Sequence, residues 1–157
     1  MKYLWLTIVA AMSLTIRADA QTRPDFSGNW SMDRSRSQSA VQDEPIGPTT
    51  VVIAQTPTEM TMNVSRDGKS ATVIYRFDGR PSAIPNGTAT SRWDGNALVT
   101  ETIRTIQGQS VTAKETRRLN AAGDEMTVDT VLVVQHGYTV AGAKNYGAAT
   151  DIFVRTR

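Results

Sequence analysis

The sequence predicts an all-β protein, a lipocalin-like up-and-down antiparallel meander of eight to ten strands closed into a barrel. Three observations predict it. After Gln21, apolar and polar residues alternate with period 2, rich in Val, Ile, Thr and aromatics, and no stretch has the spacing of a long helix. Gly, Pro, Asn and Asp interrupt the alternation at short intervals. Turn positions and apolar positions, read separately, specify the same pairing register in successive hairpins.

The alternation places strands over Phe26–Met32, Thr49–Thr56, Glu59–Arg66, Lys69–Phe77, Gly87–Trp93, Ala97–Ile106, Ser110–Leu119 and Glu125–Gln135. Asp67-Gly68 suits a two-residue hairpin turn, because both positions tolerate positive φ. That turn sets Val64 opposite Ala71, Met62 opposite Val73 and Met60 opposite Tyr75. A Pro57-Thr58 loop sets Ile53 opposite Met62 and Val51 opposite Val64. A loop centred on Ala122-Gly123 sets Leu119 opposite Met126, Arg117 opposite Val128 and Ala113 opposite Leu132. Further strands are expected over Tyr138–Gly142 and Tyr146–Arg155, with His136-Gly137 as the turn before them. Asp33–Pro48 is the one long connection in the first half, a solvated loop or a cover for a barrel mouth. An Arg-aromatic-Asp-Gly tetrad occurs twice, at Arg76–Gly79 and Arg92–Gly95, and reads as two hairpin ends meeting one local requirement. A long meander has two open edges, and closing it into a barrel removes both.

The N-terminus has a different composition. Lys2 precedes the apolar run Tyr3–Ile16, and Ala18-Asp19-Ala20 offers small residues for cleavage, the three-part pattern of a secretory signal. An apolar run of this length is too short to span a bilayer, which takes about 20 residues. The expectation is an exported chain, periplasmic or secreted, cleaved after Ala20 and leaving 21–157 as one domain with no membrane span. The chain has no cysteine, which removes disulfides, thiol nucleophiles and zinc–thiolate sites. Its net charge of +2 and scattered Lys and Arg make no case for nucleic acid. The single histidine, His136, sits in a turn-like VQHGYT context, so neither a haem ligand nor a Ser-His-Asp triad is expected from it. No spacing matches a calcium or phosphate loop. No metal site and no cofactor are expected.

The hairpin Ala97–Leu119 carries the charged candidates. A three-residue Gln107-Gly108-Gln109 loop would put Ala97, Val99, Glu101 and Ile103 on the inner face with Val111, Ala113, Glu115, Arg117 and Leu119, and Glu101 directly opposite Glu115. Two carboxylates and an arginine would then point inward among aliphatic residues. Burying them costs several kcal/mol unless they are paired or wetted. A lumen holding water or a polar-headed ligand would tolerate this, as would an ion pair near a rim. Three readings follow. In the first, a binding module holds a lipid or other small hydrophobic or amphipathic ligand, with Glu101, Glu115 and Arg117 as polar anchor and Tyr75, Met60, Met62 and Trp93 among the apolar walls. In the second, a non-catalytic structural or interaction barrel has a packed interior. In the third, a hydrolase uses the two glutamates as acid and base.

The stretch FSGNW, with Gly28-Asn29-Trp30, resembles the G-x-W signature of the calycin group, which includes lipocalins and fatty-acid-binding proteins, and it lies at the first strand of the meander. Together with the later RWDGN it is similar to exported bacterial lipocalin-like domains. The resemblance implies that Trp30 closes one barrel end and that a basic residue of the last strand, Arg155 or else Arg157, packs over it. No catalytic residues and no enzymatic activity are expected of this chain. The Asp33–Pro48 link is too short for the helix pair that covers fatty-acid-binding proteins, and no amphipathic helix follows the barrel as in many lipocalins.

Overall fold

The computed structural model describes residues 23–38, 49–106, 108–135 and 146–157. The leader over 1–20, the strand over Tyr138–Gly142, the His136-Gly137 turn and most of the Asp33–Pro48 link lie outside these residues. The described chain is all-β. Its strands are β1 (Gly28–Met32), β2 (Thr49–Gln55), β3 (Glu59–Arg66), β4 (Lys69–Arg76), β5 (Ser82–Ile84), β6 (Gly87–Asp94), β7 (Ala97–Ile106), β8 (Gln109–Leu119), β9 (Glu125–Gln135) and β10 (Tyr146–Thr156). The sequence pattern does not predict the short β5, because Pro81 and Pro85 bracket three residues that carry too little alternation to read as a strand.

One antiparallel sheet runs β4-β3-β2-β1-β10-β9-β8-β7-β6-β5. Each strand pairs with its sequence neighbour except at two places. The first and last strands, β1 and β10, pair with each other, Trp30 with Arg155 and Met32 with Phe153. The sheet's two free edges, β4 and β5–β6, approach without a ladder and nearly close the barrel. The repeated tetrads meet there. Phe77 packs edge-on against Trp93 at 5.3 Å between ring centroids, and the Gly79 amide donates to the Ser91 carbonyl at 3.1 Å. Aromatic packing and a backbone bond therefore close the gap that strand pairing leaves.

Three of the four predicted registers are observed as read. Met62 pairs with Ile53 and Val73, Met60 with Tyr75, Arg117 with Val128, and Leu119 with Met126. The β7–β8 register differs by one residue. Ile106 pairs with Gln109, so two residues join the strands instead of three, and Gly108 takes positive φ (77°). Because side chains alternate with period 2, this slip turns all of β7 over. Leu98, Thr100, Thr102 and Arg104 face inward. Glu101 faces outward, opposite Lys114 and 3.5 Å from Arg92.

The core fills one end of the barrel. Phe26, Trp30, Met60, Leu98 and Met126 are each at most 1 % exposed. Gln55 fastens the incoming chain beneath them, accepting from the Phe26 amide at 3.1 Å and donating to the Pro24 carbonyl at 2.9 Å. After β1, the polar stretch Asp33–Gln38 bonds along β10. The Asp33 amide donates to the Ile152 carbonyl, Gln38 and Thr150 exchange backbone bonds, and the Ile152 amide donates to Ser37 Oγ. These bonds secure the strand that closes the barrel.

Arg155 holds this end together. Its guanidinium lies 4.4 Å from the Trp30 ring centroid, Nε donates to the Gly123 carbonyl at 2.8 Å, and Nη1 donates to the Ser27 carbonyl. Gly28 leaves room for it. A Cβ at that position would sit 2.5 Å from Arg155 Nη1, and Gly28 has φ 135°, a value that L side chains avoid. Arg155→Met is expected to lower stability by about 2 kcal/mol or more, the sum of a cation–π contact and charged hydrogen bonds. Gly28→Ala is expected to cost about 1–3 kcal/mol through backbone strain and the clash. Denaturant unfolding of both single variants and the double variant checks this. The double should cost less than the sum, because removing the guanidinium removes the clash. Strict additivity would show that Gly28 and Arg155 act independently.

Candidate functional site

Above the packed end the barrel encloses a cavity of about 800 Å3. It reaches the β3–β4 turn at Asp67 and Lys69 and the end of β7 at Ile106, so it opens at the end away from Trp30. A volume of this size lies in the range of small-molecule sites, and it removes the packed-interior reading for this part of the lumen. Its lining carries four cationic side chains (Arg66, Lys69, Arg104, Arg117) against three acidic ones (Asp67, Glu115, Asp151), an excess of one positive charge.

Arg117 is the most constrained of these. It is inward-facing on β8, 3 % exposed, and paired in register with Leu98 and Val128. Its Nη2 donates to Glu115 Oε2 at 2.5 Å, and the guanidinium carbon lies 5.5 Å from the Tyr75 ring centroid. Its Nε and Nη1 are buried and have no hydrogen-bond partner among the described residues. Burial works against the charge, but Glu115 and the Tyr75 hydroxyl outweigh it, so the guanidinium is held above its ordinary pKa and stays ionised. Burial also raises the Tyr75 hydroxyl, as does the Glu115 charge, against the opposing pull of Arg117 and Arg104. Tyr75 therefore stays neutral. The site has a fixed cation with two donors to spare, beside a carboxylate that uses one of its oxygens.

Glu115, Arg117, Tyr75 and Met62 all line the cavity, as their predicted faces require. Three other candidates do not. Glu101 is on the outer wall, because the β7–β8 loop is one residue shorter than expected, so the facing Glu101–Glu115 pair does not form and Thr100 stands opposite Glu115. Without that pair, the two-glutamate hydrolase has no acid–base couple. Met60 is fully buried in the packed end, below the cavity. Trp93 packs between Phe26 and Phe77 at the same end, with Arg23 stacked 5.5 Å from its ring centroid. The signature residues Gly28, Trp30 and Arg155 make the clasp described above and touch no part of the cavity.

The lumen also holds polar groups beyond the sequence-predicted candidates. Asp151 on β10 faces inward in the same transverse row as Arg117, through Val128. Burial pushes its carboxyl up, Arg66 pulls it down, and Glu115 pushes it up further. Arg104 is inward because β7 is turned over. Arg66 donates from Nε to Thr49 Oγ1 at 3.0 Å near the mouth. Asp151 was legible in the sequence, since alternation from Phe153 through Asp151 to Ala149 puts it on the Phe153 face. Among the described residues, no cluster of His, Cys, Asp and Glu is arranged to hold a metal.

No family profile and no curated protein matches the chain. Solved structures do. A secreted abundant heat soluble (SAHS) protein from Ramazzottius varieornatus superposes with a TM-score of 0.56 at 13 % identity, covering 87 % of this chain and 98 % of that one. Human cRBP IV gives 0.54 at 13 %, covering 84 % and 98 %. Lipid binding protein 8 of Caenorhabditis elegans gives 0.55 at 9 %, covering 83 % and 95 %. At these identities the likeness is one of fold, and this chain has the fold of the calycin-type barrels.

Proposed function

We propose that this protein is an exported carrier for a small amphipathic molecule with an anionic group, a binder and not a catalyst. The observation that carries the reading is Arg117. A guanidinium with two buried donors lacking partners is costly to maintain. In a cavity of about 800 Å3 a ligand carboxylate supplies an acceptor and a countercharge for this guanidinium. Val51, Met62, Val64, Val73 and Leu132 offer the hydrocarbon part an apolar surface. Two of the similar structures support the reading by their descriptions, a fatty acid transporter and a lipid binding protein. Export rests on the N-terminal pattern, and no helix among the described residues is long and apolar enough to cross a membrane.

Titration with hexadecanoate and hexadecanol tests the anchor. Wild type is expected to prefer the acid. Arg117→Met is expected to weaken the acid by at least about tenfold and leave the alcohol nearly unchanged, as for loss of a charged hydrogen-bonding group. Absence of binding by the acid, or equal effects on acid and alcohol, overturns the proposal. Intact-mass measurement of the exported protein tests the leader. A chain beginning at Gln21 supports it, and a retained Met1–Ala20 segment counts against it.

A further inference from the structure

The two sides of the lumen differ. On β2–β4 the inner positions below the rim are Val51, Met62, Val64, Ala71 and Val73, mutual partners in register. Polar residues on that side lie at the mouth, around Arg66 and Lys69, and at Tyr75 beside Arg117. The facing side, β7–β10, carries polar groups at several levels. Arg117, Val128 and Asp151 form one transverse row. Thr100, Glu115 and Thr130 form the next, and Thr102, Ala113 and Leu132 the one above. Of these, Thr102, Glu115, Thr130 and Asp151 line the cavity. The side chains of Thr102, Thr130 and Asp151 have no hydrogen-bond partner among the described residues, and Glu115 bonds only Arg117.

A lumen built for a plain alkyl chain has no need of these groups, because each loses water when hydrocarbon lies against it. Their placement is also directional. Across β8, β9 and β10, adjacent strands are about 4.8 Å apart, so Arg117 and Asp151 are separated by roughly 10 Å along the wall. Thr130 falls between them and one level nearer the mouth. A ligand anchored by an acid at Arg117 thus passes a hydroxyl and a carboxylate on one side only, with Val64 and Val73 on the other.

We infer that the lumen takes a ligand that is amphipathic across its width, with hydroxyl or comparable donor groups along one edge facing Thr130 and Asp151 and hydrocarbon along the other facing Val64 and Val73. This rests on the Arg117 anchor proposed above and names the chemical class that the anchor holds.

A matched pair of ligands at pH 7 tests it, stearate and 9,10-dihydroxystearate, which share chain length and acid and differ only in mid-chain hydroxyls. Wild type is expected to bind the dihydroxy acid at least as tightly as stearate. The double variant Thr130→Val/Asp151→Leu is expected to prefer stearate by about tenfold or more. Thr130→Val alone, which keeps the side chain's shape, is expected to move the ratio the same way by a smaller factor, and it serves as the measure if the double variant does not fold. Arg117→Met should weaken both acids alike. If wild type prefers stearate as strongly as the Thr130→Val variant does, the polar edge is overturned while the anchor stands. If neither acid binds wild type, both proposals fall.

Discussion

The structure depends on the clasp between its first and last strands. Nothing in a meander forces its ends together. Here Trp30 and Arg155 pair across β1 and β10, and the guanidinium both covers the indole and binds backbone carbonyls from two other segments. The cation is hydrogen-bonded to these carbonyls where it covers the indole, which offsets the cost of its burial. With that end packed, side chains need not fill the rest of the barrel, and the cavity follows.

Arg117 contrasts with Arg155 in a way that locates function. Both guanidiniums lie over aromatic rings. Arg155 spends its donors on the fold. Arg117 gives one to Glu115, and its Nε and Nη1 are buried with no hydrogen-bond partner among the described residues. A buried ion pair with unmet donors is poor economy for stability, since apolar residues of the same volume do as well or better. Its presence in the lumen makes sense as a site awaiting acceptors. Thr130 and Asp151 on β9 and β10 fit the same logic, because their side chains have no hydrogen-bond partner among the described residues and only the charge of Arg66 offsets that of Asp151.

Most of the fold was legible because each hairpin supplied two independent signals. At Asp67-Gly68 and around Gly123 the turn residues and the apolar alternation agree, and the register follows. The β7–β8 hairpin lacked that check. Ala97, Val99 and Ile103 look as inward as Leu98, and both faces contain charges, so the pattern does not choose between a two-residue and a three-residue loop. The choice moved Glu101 from the lumen to a surface pair with Arg92. The face of β8 is legible because its register with β9 fixes it independently. The gap between β4 and β5–β6 had a trace in the repeated Arg-aromatic-Asp-Gly tetrads, but their meeting is a tertiary fact that no local pattern encodes. The same holds for Met60 and Trp93, whose inward orientation is readable and whose depth in the barrel is not.

The most direct measurement is a crystal structure of the protein with a long-chain carboxylic acid bound. The expected result is a carboxylate oxygen about 2.7–2.9 Å from a guanidinium nitrogen of Arg117, with the chain running toward the mouth between Val64 and Val73 on one side and Thr130 on the other. A carboxylate held at the rim by Lys69 or Arg66, with Arg117 still unfilled, would contradict it.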